Sequence, residues 1–219
     1  MNSRYFYLGS IISFALAGAS VNAASINMDF NTDALNQSIQ AGQIIDDEFA
    51  SFGITISGDS NNRHRPDKVI AFDSANPTGG DPDLATPGYG LNNNVALGML
   101  LILAERDTDQ NNDGFVDNPD DDAGGGYIQF AFDSPQQASG SVDMLDIEEH
   151  GSRIDLLLAG NIVNSLSIPG LGDNGFQTIS FGLASFDTLR VSLSGSGAIG
   201  GVRMDTPGGG PEIPEPATM

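Results

Sequence analysis

The most chemically loaded stretch of the chain reads Asp107-Thr108-Asp109-Gln110-Asn111-Asn112-Asp113-Gly114-Phe115-Val116-Asp117-Asn118-Pro119-Asp120-Asp121-Asp122, with seven aspartates and no cationic side chain. At about 5 Å spacing and an effective dielectric near ~20, each adjacent pair of carboxylates repels by about 3 kcal/mol before screening, and a divalent cation would reverse that sign. Counting Asp109 as position one, oxygens fall at Asp109, Asn111, Asp113, the backbone carbonyl of Phe115, Asp117 and Asp120, with Gly114 where the chain must bend sharply. Alternate residues turning their oxygens inward is the ligand order of a calcium loop. Every donor is a hard oxygen, which selects Ca2+ over zinc or copper. The plainer alternative is a disordered acidic loop.

A second set of acids lies further apart in the chain. Asp73, Asp81 and Asp83 flank the Pro77-Thr78-Gly79-Gly80 turn, and Asp121, Asp122 and Asp146 sit beside glycine-rich or apolar segments. These six could converge on another metal ion, or could simply cap turns, as aspartate does with its own backbone. Both readings stay open at this stage.

The Asp109–Asp120 segment resembles the Asp-x-Asn-x-Asp-Gly loop of EF-hands, dockerins and thrombospondin type 3 repeats. The resemblance spans about twelve residues and implies a mode of coordination only. Position twelve is Asp120 instead of a glutamate, and the flanks read as strand and glycine turn instead of helices. The runs around Asp73–Asp83, Asp121-Asp122-Ala123-Gly124-Gly125-Gly126 and Leu145-Asp146-Ile147 resemble a pattern in uncharacterised exported bacterial β-sandwich domains, which implies no activity.

Chemistry beyond metal binding finds little support. The two histidines, His64 and His150, stand in no His-Glu-x-x-His motif and beside no Gly-x-Ser-x-Gly elbow. Glu148 and Glu149 could form half of a glycosidase pair, but so could many of the other acids. With no cysteine anywhere, thiolate metal sites, disulfides and cysteine nucleophiles are excluded. The 29 Asp+Glu against 8 Lys+Arg give a formal net charge of -21. Nucleic acid and bare anionic membrane are therefore poor partners, and divalent cations good ones.

The ends of the chain carry an address. Arg4 precedes an apolar run that closes on Val21-Asn22-Ala23, the order of a secretory signal peptide. Roughly a dozen apolar residues is short for crossing ~30 Å of hydrocarbon. At the other end, residues 205–219 form a Pro/Gly-rich linker that cannot build a core. Its last residues, Ile213-Pro214-Glu215-Pro216-Ala217-Thr218-Met219, resemble the start of the PEP-CTERM sorting signal of exported bacterial proteins. That family implies an exosortase-type sorting protease as partner and export in a Gram-negative bacterium. The membrane helix and basic cluster that follow the triplet there are not in this sequence.

Between the ends, residues 24–204 form one expected domain, and 1–23 the signal peptide. Apolar residues alternate over short runs separated by Gly, Pro, Asn and Asp, the period of half-buried strands. Strands are expected at 26–30, 54–57, 69–72, 95–104, 127–133, 140–147, 153–158, 162–168, 178–181, 189–193 and 199–204. The 95–104 run is apolar on both faces and should be central. One short helix is expected over 44–52, where Ile45, Phe49 and Phe52 recur at helical spacing. The fold expected is all-β, an antiparallel β-sandwich of jelly-roll type with at most one short helix. Taken together, the residues lead to an expectation of a secreted or cell-surface calcium-binding module, not an enzyme, engaged in adhesion, extracellular matrix or carbohydrate binding. Alternatives are a secreted polysaccharide-degrading enzyme and a purely structural matrix protein.

Overall fold

The structure, a computed structural model, describes residues 25–207, so the expected signal peptide and the Pro-Glu-Pro segment lie outside the described residues. Nine antiparallel strands form one hydrogen-bonded sheet: β1 (Ser25–Met28), β2 (Ile54–Ser60), β3 (Val69–Asp73), β4 (Met99–Leu103), β5 (Gly126–Leu145), β6 (Arg153–Leu158), β7 (Asn161–Ser167), β8 (Phe176–Leu193) and β9 (Ala198–Asp205). The order is β3-β4-β9-β5-β8-β6-β7, with β1 also on β9 and β2 on β5. The all-β antiparallel architecture expected from the alternating pattern is the one that forms, and no described helix is long and apolar enough to cross a membrane.

Two long strands fold this sheet over a core in the manner of a β-sandwich. β5 pairs through its first half with β2, then hands the same edge to β9 from Ser139 onward, while its other edge stays with β8 throughout. The handover coincides with register shifts between Ala131 and Gln136 and between Ala138 and Gly140. Pro135 sits in the first of these, where its missing N–H costs no ladder bond. The sequence pattern expects four separate strands where β5 and β8 each run unbroken. Asp133-Ser134-Pro135 looks locally like a turn, yet pairing on both flanks keeps the chain extended through it.

The principal core lies inside the folded sheet. Ile128, Phe130 and Phe132 point inward from β5 and meet Leu189 and Val191 of β8 and Ile154 and Leu156 of β6. Phe30 packs edge-on to Phe49 at 6.0 Å and stacks on Phe130 at 6.4 Å between ring centroids, while Phe186 receives Phe132 and Phe181 edge-on. Burial of each such ring contributes about 1.5–3 kcal/mol, and the edge-to-face contacts somewhat more.

The 44–52 helix does not form. The Ile45 N–H bonds the Val69 carbonyl and the Ile56 N–H bonds the Asp46 carbonyl, so this backbone is tied to neighbouring strands; only a 3-10 turn, Ala50–Phe52, remains. Ile45 and Phe49 are buried as their spacing suggests, but Phe52 faces solvent.

β4 is central and apolar on both faces, as read from its composition. Leu101 and Leu103 enter the principal core, while Leu100 and Ile102 join Ile70, Phe72, Leu84, Ala104, Val116, Leu145 and Ala198 in a second cluster. Two members, Leu84 and Val116, come from loops, which this cluster draws onto the β3-β4-β9 surface.

Phe130→Ala should lower unfolding free energy by about 3–5 kcal/mol in urea denaturation, because the cavity opens amid rigid strands. Ile162→Ala on the exposed side of edge strand β7 should stay within about 0.5 kcal/mol of wild type.

Candidate metal centre

The second apolar cluster explains why acids distant in sequence meet. Leu84 lies in the 3-10 turn Pro82–Leu84, so its burial fixes Asp81 and Asp83, which flank Pro82 just before it. Val116 anchors the acidic loop, its N–H donating to the Gly42 carbonyl at 2.8 Å. Leu145 ends β5 and leaves Asp146 at the same surface, in the left-handed region at φ 60°. The two loops touch at Gly79, φ 71°, where a Cβ would come within 2.4 Å of the Pro119 carbonyl oxygen. The Thr78 hydroxyl donates to that oxygen at 3.0 Å.

Within the acidic loop, Asp109 accepts from the N–H of Gly114 at 2.9 Å and of Asp113 at 3.3 Å. Asn111 Oδ1 accepts from the N–H of Asp113, and Asp113 Oδ1 from that of Phe115, both at 2.9 Å. Asp117 accepts from the Gln110 N–H at 2.7 Å. Gly114 adopts φ 91°, the sharp bend its position requires. These side chains thus already curl around their own backbone. Asp120, the last residue of the pattern, is drawn elsewhere: it is buried, pairs with Arg106, and joins Asp81 and Asp121.

Two carboxylate triads result. Asp81, Asp120 and Asp121 each bring an oxygen within 4.8 Å of the others, and so do Asp83, Asp146 and Asp173. Of the six residues read as a second metal set, four enter these triads. Asp73 instead caps its own turn, accepting from the Ala75 N–H and the Asn76 side chain. Asp122 accepts from the Ser60 hydroxyl and the Gly124 N–H. Asp173 has no signature in the sequence beyond its turn, Gly172-Asp173-Asn174-Gly175.

Burial and mutual repulsion both act on these groups. Burial pushes Asp121 up to about 8, against a hydrogen bond from the Gly197 N–H, with Asp81, Asp146 and Asp83 adding to the rise. Asp146 rises to about 7, through burial and then the charges of Asp83, Glu148 and Asp173, although the Asn174 N–H holds it at 2.6 Å. Asp81 rises to about 6, burial again leading, and Asp83 is raised by the same cause. Burial and neighbouring negative charge thus raise the proton affinity of Asp81, Asp83, Asp121 and Asp146, and a cation bound among them would favour their ionised forms.

The bracket behind the second triad is built of amides. Asn174 donates through Nδ2 to the carbonyls of Asp83 and Ala85, while Asn93 Nδ2 donates to Asn174 Oδ1 at 2.9 Å. Asn93 Oδ1 is buried with no hydrogen-bond partner among the described residues, at a cost of about 1–3 kcal/mol. Tyr89, 70% exposed, donates its hydroxyl to Asp173 Oδ1 at 2.8 Å. That bond pushes the phenol up to about 12, so it stays a donor at neutral pH. Asp46, Asp47 and Glu48 form a third acidic group of sequence neighbours, and Asp46 and Asp47 are exposed. His64, His150, Glu148 and Glu149 are all exposed, and none belongs to these groups.

No protein-family model and no curated protein matches the chain. Among solved structures it is similar to a histidine mutant of the lectin binding domain of lectinolysin complexed with Lewis b, at 12% identity over 39% of this chain and 66% of that one, with a TM-score of 0.30. It is likewise similar to a fucose binding module of Streptococcus pneumoniae, at 12% identity, 39% of this chain, 67% of that one and a TM-score of 0.29. The family 32 carbohydrate-binding module of C. perfringens NanJ in complex with galactose matches 74% of this chain and 97% of its own, at 10% identity and a TM-score of 0.32. The chain thus spans about two thirds of the first two domains. Likeness at this level carries no ligand across.

Because Asp81, Asp146 and Asp121 bind protons more tightly in the folded than in the unfolded chain, stability without divalent cations should fall as pH rises from about 4 to about 8. Thermal melts in a chelator across that range should show Tm dropping by at least ~5 °C, at about 2–4 °C per kcal/mol.

Proposed function

We propose that this protein is an exported β-sandwich binding module that holds Ca2+ in its acidic loops and uses it, with Tyr89, to engage an extracellular polysaccharide. The observation that carries this reading is the exposed Tyr89 phenol bonded to Asp173, itself one of the three carboxylates of the Asp83-Asp146-Asp173 triad. A cation there would hold the three carboxylates ionised and still accept further oxygen ligands, since Ca2+ takes six to eight. Neighbouring hydroxyls of a sugar supply such oxygens. The Tyr89 ring beside them offers an apolar face for a pyranose and a hydroxyl at its edge.

The donor set suits the ion. Asp81, Asp120 and Asp121 are hard oxygen ligands in mutual repulsion, and Arg106 relieves only Asp120 by direct pairing. Asp109, Asn111, Asp113, Phe115 and Asp117 would form a separate, more exposed loop site, consistent with the weak affinities of extracellular modules, about 0.1–1 mM. Asp120 belongs to the loop's spacing but stands with the first triad, so the two sites would compete for it or share it. The export signature at residues 1–23 and the Pro-Glu-Pro segment support delivery to the surface of a Gram-negative bacterium, with an exosortase-type protease as processing partner.

Calcium at ten times its dissociation constant should stabilise the fold by about 1.4 kcal/mol, read as a rise in Tm that a chelator reverses. Asp121→Asn should raise Tm in chelator by removing the cost of burying an ionisable carboxyl, and with it the lesser repulsion from its neighbours, and should shrink the calcium response. Tyr89→Ala should keep that response and lose at least ~tenfold in retention on a glycan array. A chelator that leaves both Tm and protease resistance unchanged would end the calcium reading. Polysaccharide turnover abolished by Glu148→Gln would make the protein an enzyme instead.

A further inference from the structure

A groove of about 360 Å³ opens on a different surface, the outward face of β5, β8 and β6. Across these strands the register aligns Tyr127, Ser192 and Arg153 in one row, with Ser192 in the middle, and Gln129, Arg190 and Asp155 in the next, with Arg190 in the middle. Their neighbours Ile128, Phe130, Leu189, Val191, Ile154 and Leu156 all point into the core, so the first six share the outer side.

Arg190 is unusually placed for a chain of net charge -21. Its guanidinium carbon lies 4.5 Å from the centroid of the Tyr127 ring, and its Nε and Nη2 donate to Gln129 Oε1 at 3.1 and 2.7 Å. The groups that orient it are therefore neutral. The ion pairs among the described residues belong to Arg65, Arg106, Arg153 and Arg203, and none to Arg190. Arg153 is held through Nε by buried Asp155 at 2.8 Å. Arg190 Nη1 and both terminal nitrogens of Arg153 have no hydrogen-bond acceptor among the described residues. Of the nearby carboxylates, Asp155 is engaged by Arg153 and Ser165 and Asp59 by the Tyr127 hydroxyl at 3.2 Å, while Asp67 also acts on Tyr127 and Glu149 lies against Gly195 at the groove's rim.

We infer that this groove binds the carboxylate of a single uronate residue within an otherwise neutral glycan. A planar carboxylate matches the guanidinium edge with two parallel charge-assisted bonds. Ser192, Ser194 and Asn61 line the same groove and supply hydroxyl and amide partners for the sugar ring. A peptide ending in an apolar residue would find nothing to pack that side chain against, since the one large aliphatic lining residue, Leu193, is buried. A polyuronate is disfavoured because the protein's charge repels a long polyanion. The inference shares with the preceding reading only the premise that a glycan is bound, and it needs no calcium.

The test is calorimetric titration of the full chain, in a chelator, with an aldobiouronic acid and with the same disaccharide after reduction of its carboxyl group to an alcohol. The acid should bind at least ~tenfold more tightly than its reduced form, and Arg190→Gln should erase that difference. In wild type the Arg190 side-chain Nε–H resonance should shift on titration, a readout that does not depend on the variant folding. Equal binding of the reduced sugar, an unmoved Arg190 resonance, or binding that vanishes on chelation would each overturn the inference. Displacement by equimolar inorganic sulfate would also overturn it, by making the groove a general oxyanion site. A calcium response lost at the acidic loops while the acid still binds in chelator would sink the calcium reading and leave this one standing.

Discussion

The small apolar cluster on the outer face of β3-β4-β9 governs the rest of the acidic surface. Leu84, Val116 and Leu145 each bury there with residues of β3 and β4, and each lies within five residues of an aspartate of a triad. Hydrophobic burial is short-ranged and indifferent to charge, so it gathers the carboxylates although they repel one another. The raised proton affinities of Asp81, Asp121 and Asp146 are the record of that opposition, with burial the leading cause at each.

Backbone amides temper the repulsion without removing it. Gly197 serves Asp121, Asn174 serves Asp146, and Asp121 itself serves Asp81. Each hydrogen bond favours the ionised form, yet the net shift remains upward, so the triads stand short of positive charge. The contrast with Asp143 and Asp155 is instructive. Those are buried on β5 and β6 but meet Arg203 and Arg153 at 2.7 and 2.8 Å. Those two buried aspartates are matched by an arginine and buried Asp122 by a hydroxyl and an amide, whereas of the triads only Asp120 has an arginine.

The two candidate binding surfaces follow different logic. The acidic edge is assembled from loops and collects charge of one sign. The β5-β8-β6 groove is laid out by strand register, with each polar residue fixed by its alternation against the core. A loop-built site can be ordered by an ion; a register-built site is ordered by the sheet itself.

Much was legible in the sequence for physical reasons that are local. Period-two alternation marks strands because side chains point to opposite faces, so the all-β class, β6 at Arg153–Leu158 and the central, doubly buried β4 could be read directly. The curl of Asp109, Asn111 and Asp113 onto nearby N–H groups is also encoded within a few residues. What tertiary structure decided was nonlocal. Pairing on both flanks made single strands of the β5 and β8 segments, and hydrogen bonds to β2 and β3 suppressed a helix at residues 44–52. The fold brought Asp173 to Asp83 and Asp146, moved Asp120 away from its loop pattern, and left Asp73 and Asp122 to cap their own turns. No spacing rule reports such encounters, because the distance between two carboxylates is set by which apolar neighbours are buried together and not by how many residues separate them.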